Sequence, residues 1–336
     1  KGGGTTLAAR TPLFVLVLSI AALIAACGGT TNAPTSSLAS PSPTVSGSPG
    51  SVNNPPTSEA AFPRTLVDDA GARVTIAAEP KRIVALTPAS VETLATLGLV
   101  DRVVGLAECT CTPEALREIP TVASYAGVDV EAIVALEPDV VFVAAAPFTP
   151  AEAISALRAA NLTLVTLNPT SVIGVMQTTQ LIGDVVGATL PAADLVGSIE
   201  GEITALVSLV DPSVHPRVFY EIDATAAIYG LAPDDYAAEL ISLAGGVPVT
   251  SGSPGVYEIS LEALVTAAPA VILLGDAAYG VTAEAVAARP GWGTIPAVVN
   301  GALRAIDGDL VSTPGPRIAE AFRAIVAQLH PELTLP

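Results

Sequence analysis

The groups of this chain whose types and spacing could do chemistry are few. Glu131 and Glu262 each open a short helical pattern, the place where the helix dipole favours a negative charge. Cys109 and Cys111 form a Cys-x-Cys pair. In an oxidising compartment an even pair suggests a disulfide, although so short a bridge is strained and easily reduced. A thiolate or redox site is a second reading of the pair, and two small loop residues a third. Histidine occurs only at His215 and His330, and lysine only at Lys1 and Lys81. So few ligands cannot build an HExxH or multi-histidine metal site. A GxxxxGK[ST] phosphate loop is excluded as well, because Lys81 is followed by Arg82 and follows no glycine run. The nucleophile turn GxSxG and a post-strand GxGxxG are also missing from the sequence. His215 lies between Val214 and Pro216, and His330 precedes Pro331, so neither stands beside a nucleophile it could activate.

The elements that must position the two glutamates are written twice. Asp129–Val143 (DVEAIVALEPDVVFV) and Ser260–Leu274 (SLEALVTAAPAVILL) align so that Glu131 meets Glu262, Val134 meets Val265, Pro138 meets Pro269 and Val140 meets Val271. In each copy an acid opens a short amphipathic helix and a proline stops it, since proline cannot continue the hydrogen-bond ladder. A continuous apolar, β-branched run follows, as expected of a strand covered on both faces in a parallel sheet. A repeat of this length is an α/β half-domain rather than a solenoid unit. The expected fold class is therefore α/β, with two similar lobes and a cleft between them, where small ligands bind.

The rest of the pattern fills in those lobes. Thr65–Ile76 predicts two short strands around an Asp-Ala-Gly turn, and Arg82–Leu86 a strand followed by a helix over Ser90–Leu97. Val103–Leu106 predicts the next strand, with Glu108–Pro113 as the loop at its carboxyl end. A helix over Pro150–Ala160 and a strand at Leu162–Leu167 follow the first repeat copy. Two long helical patterns without strand signal, Val172–Val186 and Pro191–Val210, then separate the lobes. The second of them is the simplest connection, which gives a first lobe over 64–187, a linker helix over 188–212 and a second lobe over 213–336. That second lobe begins at Arg217–Ile222, contains a helix over Asp234–Ala244, and closes with a strand near Leu303–Ile306 and a helix over Arg317–Leu329.

Composition narrows the partners. The 32 Asp and Glu against 14 Lys and Arg leave a net charge of −18. Nucleic acid is excluded, because it needs a basic face to replace counterions. A protein body lying on anionic lipid is disfavoured for the same reason. The N-terminus carries an address instead. Lys1 and Arg10 precede an apolar run from Leu13 to Ala26, the length of a secretory h-region and too short to span a bilayer. The run ends Leu23-Ile24-Ala25-Ala26-Cys27-Gly28, which resembles a bacterial lipobox with Cys27 as the lipidated residue and 1–26 as the signal peptide. Residues 27–63 are almost all Gly, Ser, Thr, Pro, Ala and Asn, a composition that cannot order itself and serves as a tether. The first residue is Lys rather than Met, so a longer start is expected.

Several stretches in order resemble one known family, the ferric-siderophore and vitamin B12 periplasmic-binding domain. They are Pro80-Lys81-Arg82-Ile83-Val84-Ala85-Leu86-Thr87-Pro88 with Leu97-Gly98, the repeat copy at Glu131–Val141, Leu243-Ala244-Gly245-Gly246, Arg289-Pro290-Gly291-Trp292 and Pro314-Gly315-Pro316-Arg317. The resemblance runs from about Arg64 to Glu332. It implies two Rossmann-like lobes joined by one long α-helix, with no catalysis and no resident cofactor. It also implies a monomeric substrate-binding lipoprotein of an ABC importer, held to the extracytoplasmic face of the cell membrane by its lipid anchor alone. Its partners would be the permease with its ATPase and a small-molecule metal chelate, either a cobalt corrinoid or a ferric siderophore. In such a protein an exposed glutamate on each lobe docks on permease arginines, which gives that role to Glu131 and Glu262. Tyr125 and Tyr257, shortly before those glutamates, belong near the cleft rim, where aromatic faces suit flat, partly apolar ligands. Cys109, Cys111 and Ala145 replace cleft-loop residues of vitamin B12 binders. Asp309 and Arg317 fall in the last cleft loop and the helix after it, where Arg317 pairs with an acidic ligand or ties that loop to the lobe. The alternatives are an extracytoplasmic hydrolase, or a ligand-free surface or signalling lipoprotein, on the same fold.

Overall fold

The apolar, β-branched runs of the sequence become the buried strands of two parallel sheets. A computed structural model of the protein describes residues 61–108, 112–124, 126–145 and 148–336; Cys27 and most of the expected tether lie outside them. The chain enters through a hairpin of β1 (Arg64–Val67) and β2 (Arg73–Ile76). Asp68 holds its turn, accepting from the N–H of Ala70 and Ala72 and, with its other oxygen, from the N–H of Thr166 at 3.0 Å. Phe62, which the composition leaves in the tether, packs against the core of the first lobe beside Gly187.

The first sheet takes β3 (Ile83–Ala85), then β4 (Val103–Ala107) after α1 (Pro88–Thr96), and then the short strands β5 (Thr121–Ser124) and β6 (Gly127–Val128). After α2 (Val130–Ala135) come β7 (Val140–Ala144), α3 (Ala151–Ala159) and β8 (Leu164–Leu167). The strand order is β6-β5-β4-β3-β7-β8, parallel throughout except for β6 against β5. Thr87 caps α1, accepting from the Ser90 N–H at 3.0 Å, and Pro88 occupies its first position, where a missing N–H costs nothing.

Two helices follow, at the places of the two long helical patterns. α4 (Val172–Val186) ends on Gly187 at φ 82°, the left-handed conformation a glycine adopts freely. α5 (Thr189–Val207) returns against it, and the two pack as a helical hairpin. Val172 and Val175 of α4 are buried in the core of the second lobe, whereas Leu181, Ile182, Val185 and Val186 are buried in that of the first. The long helical patterns carry apolar residues on more than one face for this reason. Close to the turn that joins the pair, a Cβ on Gly183 would overlap that of Ala192.

The second sheet is built from β9 (Arg217–Glu221), then β10 (Val247–Val249) after α6 (Tyr236–Leu243), and β11 (Val271–Leu274) after α7 (Leu261–Ala267). Short helices α8 (Ala283–Ala287) and α9 (Pro296–Val299) lead to β12 (Leu303–Ala305). α10 (Gly308–Ser312) and α11 (Ile318–Leu329) close the lobe. The order β10-β9-β11-β12 repeats β4-β3-β7-β8 of the first lobe, with every pair parallel. The two copies of the sequence repeat, α2–β7 and α7–β11, thus occupy the same slot in their sheets. Both lobes fall in one compact unit, and no described helix is long and apolar enough to cross a membrane.

The close approach of α4 and α5 gives a test. A methyl at Gly183 has no room, so the packing cost of about 1–3 kcal/mol outweighs the gain of about 1 kcal/mol in helix propensity. Urea denaturation should show Gly183→Ala less stable than wild type. Gly197→Ala in α5, where nothing lies within 4 Å of the added carbon, should be more stable. Equal midpoints for the two variants would mean that the helices are not held at this spacing.

Candidate functional site

All strands of a parallel sheet end on one edge, and the loops leaving that edge line ligand crevices. Here the carboxyl edges of the two lobes meet. Arg317, at the start of α11, donates from Nη2 to Oε1 of Glu92 in α1 at 2.5 Å, one lobe to the other. The turn before it lies so close that a Cβ on Gly315 would meet the Ala89 backbone at 3.3 Å. Between the lobes is a pocket of about 350 Å³, toward the small end of ligand sites. Its walls are Glu92, Ala95, Thr96 and Pro113 from the first lobe, and Asp307, Asp309 and Arg317 from the second.

Glu92 is 5% exposed. Only its Oε1 is paired; Oε2 is buried with no hydrogen-bond partner among the described residues. The same ion pair raises the Arg317 pKa, chiefly through the hydrogen bond to Glu92. Arg317 therefore ties its loop to the opposite lobe, an outcome that neither sequence-based reading of this residue contains.

A second acidic cluster lies at the carboxyl edge of the second sheet. Glu221, the last residue of β9, is fully buried and held by a bidentate fork from Arg289 at 2.6 and 2.8 Å. The Arg289 guanidinium stacks on Trp292, 4.7 Å from the ring centre. Asp276, just after β11, is 5% exposed, and neither of its oxygens has a donor among the described residues. Burial, then the nearby charge of Glu221, push the Asp276 carboxyl up to about 7.

The expected site residues divide. Asp309 and Arg317 line the pocket. Tyr257, in the loop between β10 and α7, is half-buried, with its hydroxyl on Asp235 at the N-cap of α6. Burial and the Asp235 charge push its phenol up to about 12. It is not among the pocket walls. Cys109, Cys111 and Tyr125 lie outside the described residues. Glu131 and Glu262 are exposed in the first turns of α2 and α7, whose N-termini lie at the carboxyl edges of their sheets. Glu262 also borders an open depression of about 510 Å³ with Arg217, Ser260 and Thr266. Glu92, Glu221 and Asp276 were not singled out in the sequence. The signal was present: each is an acid within or at the end of an apolar run. Both histidines are remote from the pocket. Nδ1 of His215 lies 3.2 Å from the Gly245 carbonyl, and Nε2 of His330 lies 2.8 Å from that of Ala244. Those carbonyls precede β10 and mark the opposite edge of the sheet.

Comparison with known proteins agrees with this architecture. Residues 83–310 match the family model described as periplasmic binding protein. The ABC transporter substrate-binding lipoprotein YvrC of Bacillus subtilis is 30% identical over 276 residues, 81% of this chain and 87% of the relative. The cobalamin-binding protein of Halobacterium salinarum is 30% identical over 284 residues, covering 80% of this chain and 74% of its own. Among solved structures, the periplasmic vitamin B12 binding protein BtuF of Vibrio cholerae superposes with a TM-score of 0.63 at 23% identity, over 75% of this chain and 97% of that one.

The raised Asp276 carboxyl predicts a pH signature. The unfolded chain loses the Asp276 proton near 3.8, whereas the folded chain keeps it up to about 7. The folded state binds more protons in that window, so the contribution is complete at low pH and is lost as pH rises through 7. Thermal melts from pH 5 to 8 should show wild type losing stability that Asp276→Asn retains, with the variant the more stable of the two at pH 8. Parallel profiles would show that no proton is held there.

Proposed function

The chain belongs to the periplasmic binding protein family, and on that premise we propose that it is the substrate-binding lipoprotein of an ABC importer. It takes a corrinoid or ferric chelate into the inter-lobe pocket and delivers it to a permease. The observation that carries this reading is the matched placement of Glu131 and Glu262. Two exposed carboxylates, at the same position of the two repeat copies, stand on the two lobes that form the pocket. A permease binding both would read the spacing of the lobes. The helix dipole favours each charge until cationic partners replace water around it.

A corrinoid fits the site better than an anionic chelate. Glu92, Asp307 and Asp309 confront the pocket with a single arginine that Glu92 already holds. The cobalamin-binding and vitamin B12-binding names of relatives support the same choice. No catalytic step belongs to this reading, and the two histidines weighed as a hydrolase's base are remote from the pocket. Anchoring falls to Cys27, and stable attachment needs the several acyl chains of a processed lipoprotein, since one chain holds only marginally.

Two experiments test the proposal. Glu131→Arg and Glu262→Arg set cations against the permease arginines, and like charges at an interface cost several kcal/mol. Ligand affinity in solution should stay at the wild-type value, while cellular uptake and permease pull-down are lost; a double variant that still transports would reduce both acids to helix caps. Cys27→Ser should move the protein from the membrane to the soluble fraction or leave it unprocessed. Normal maturation with full membrane retention would remove the lipobox.

A further inference from the structure

The second lobe buries an ionisable group that it does not satisfy. Asp276, two residues beyond β11, is 5% exposed, and no described residue donates to either of its oxygens. A carboxylate taken out of water without donors is costly, so such a group either keeps its proton or gains water. The charged groups that face it leave that cost in place. Glu221, at the end of β9, repels a second negative charge; Arg289, beyond α8, attracts one but already gives its fork to Glu221. Asp307 at the N-cap of α10 and Asp235 at the N-cap of α6 act together with Asp276 on the buried Tyr220 phenol, all three with the same sign.

The segment that carries Asp276 is joined on both sides to a wall of the inter-lobe pocket. Just before it, the Gly275 carbonyl lies against the first residue of α10, where a Cβ on Gly308 would overlap that oxygen. Just after it, the Tyr279 hydroxyl donates to Oδ1 of Asp309 in α10 at 3.2 Å. Backbone bonds complete the frame: the Ile306 N–H donates to the Leu274 carbonyl and the Val311 N–H to the Asp307 carbonyl, both at 3.1 Å. Asp307 and Asp309 are themselves walls of the pocket. A charge that appears at Asp276 thus acts on the pocket wall through directly adjoining residues.

We propose that Asp276 is a pH-sensitive switch beneath the second-lobe wall of the inter-lobe pocket: neutral, it stays buried under a closed α10, and ionised, it draws in water and loosens α10. Burial and the Glu221 charge push this carboxyl up to about 7, so the switch works across neutrality. Linkage fixes its sign. A folded-state pKa above the unfolded value of 3.8 gives stability that is complete in acid and is lost as pH rises through about 7. α10 opens while the rest of the fold holds, which distinguishes this device from a general loss of stability. With the pocket as the binding site, a guest is held more firmly below neutrality than above it. That consequence rests on the chelate-binding reading; the switch itself does not.

Hydrogen exchange on the ligand-free full chain, followed amide by amide and corrected for the intrinsic effect of pH, tests the switch. The Val311 amide should open at lower free energy than the amides of α4, and its protection should fall at least about tenfold from pH 6 to pH 8.5. Asp276→Asn should keep the pH 6 protection throughout. So should Asp276→Ala, which installs the residue that the first lobe carries at this register, Ala145. Equal protection at Val311 and in α4 at every pH would mean that α10 opens only when the whole chain unfolds, and the switch would be overturned. A wild-type profile without pH dependence, or one that both variants reproduce, overturns it as well. Should neither variant fold, the wild-type profile at Val311 still decides. With no ligand present, the importer reading is untouched by any of these outcomes.

Discussion

The two lobes share a helix, and that sharing constrains everything else. The first turns of α4 are buried in the core of one lobe and its last turns in the core of the other. A large swing of one lobe on the other would expose one of these ends. Each buried valine or leucine lost to water costs on the order of 1.5–3 kcal/mol. α5 doubles the brace, packed along α4 and against α11. The cleft is therefore framed by a stiff spine. At the carboxyl edges its two walls are tied by the ion pair of Arg317 with Glu92.

The use of cations follows the same logic. In a chain of net charge −18, several of the described arginines are committed to structural ties. Arg64 binds the Asp184 carbonyl at the end of the spine, Arg102 binds Glu79, Arg289 clamps Glu221, and Arg317 bridges the lobes to Glu92. What remains at the pocket is acidic. The buried carboxyls beside it are kept tolerable in two ways, by an arginine at Glu221 and by a retained proton at Asp276.

Much of the fold was legible because it depends on local pattern. α4 has the bounds that its apolar periodicity and its terminal glycine indicate, and β7 and β11 are the uninterrupted apolar runs after the repeat prolines. Strands β5, β6 and β10 were not legible. They are two to four residues long, and one contains a proline, so they gain their identity from neighbours in the sheet. The same limit applies to the site. Arg317 stands out in the sequence, but Glu92, its partner 225 positions away, reads as part of an apolar helix until the lobes are brought together. Tyr125 and Tyr257 pair by proximity to the glutamates, although the register of the repeat sets Tyr257 opposite Ala126.

The match between the repeat copies has an exception with a consequence of its own. Just after β7 the first lobe carries Ala145, and just after β11 the second carries Asp276. Two lobes identical at this point would make the carboxyl edges equivalent. The unequal residues break that equivalence: one lobe is neutral here, and the other holds an acid whose carboxyl is pushed up to about 7 by burial and the neighbouring Glu221 charge.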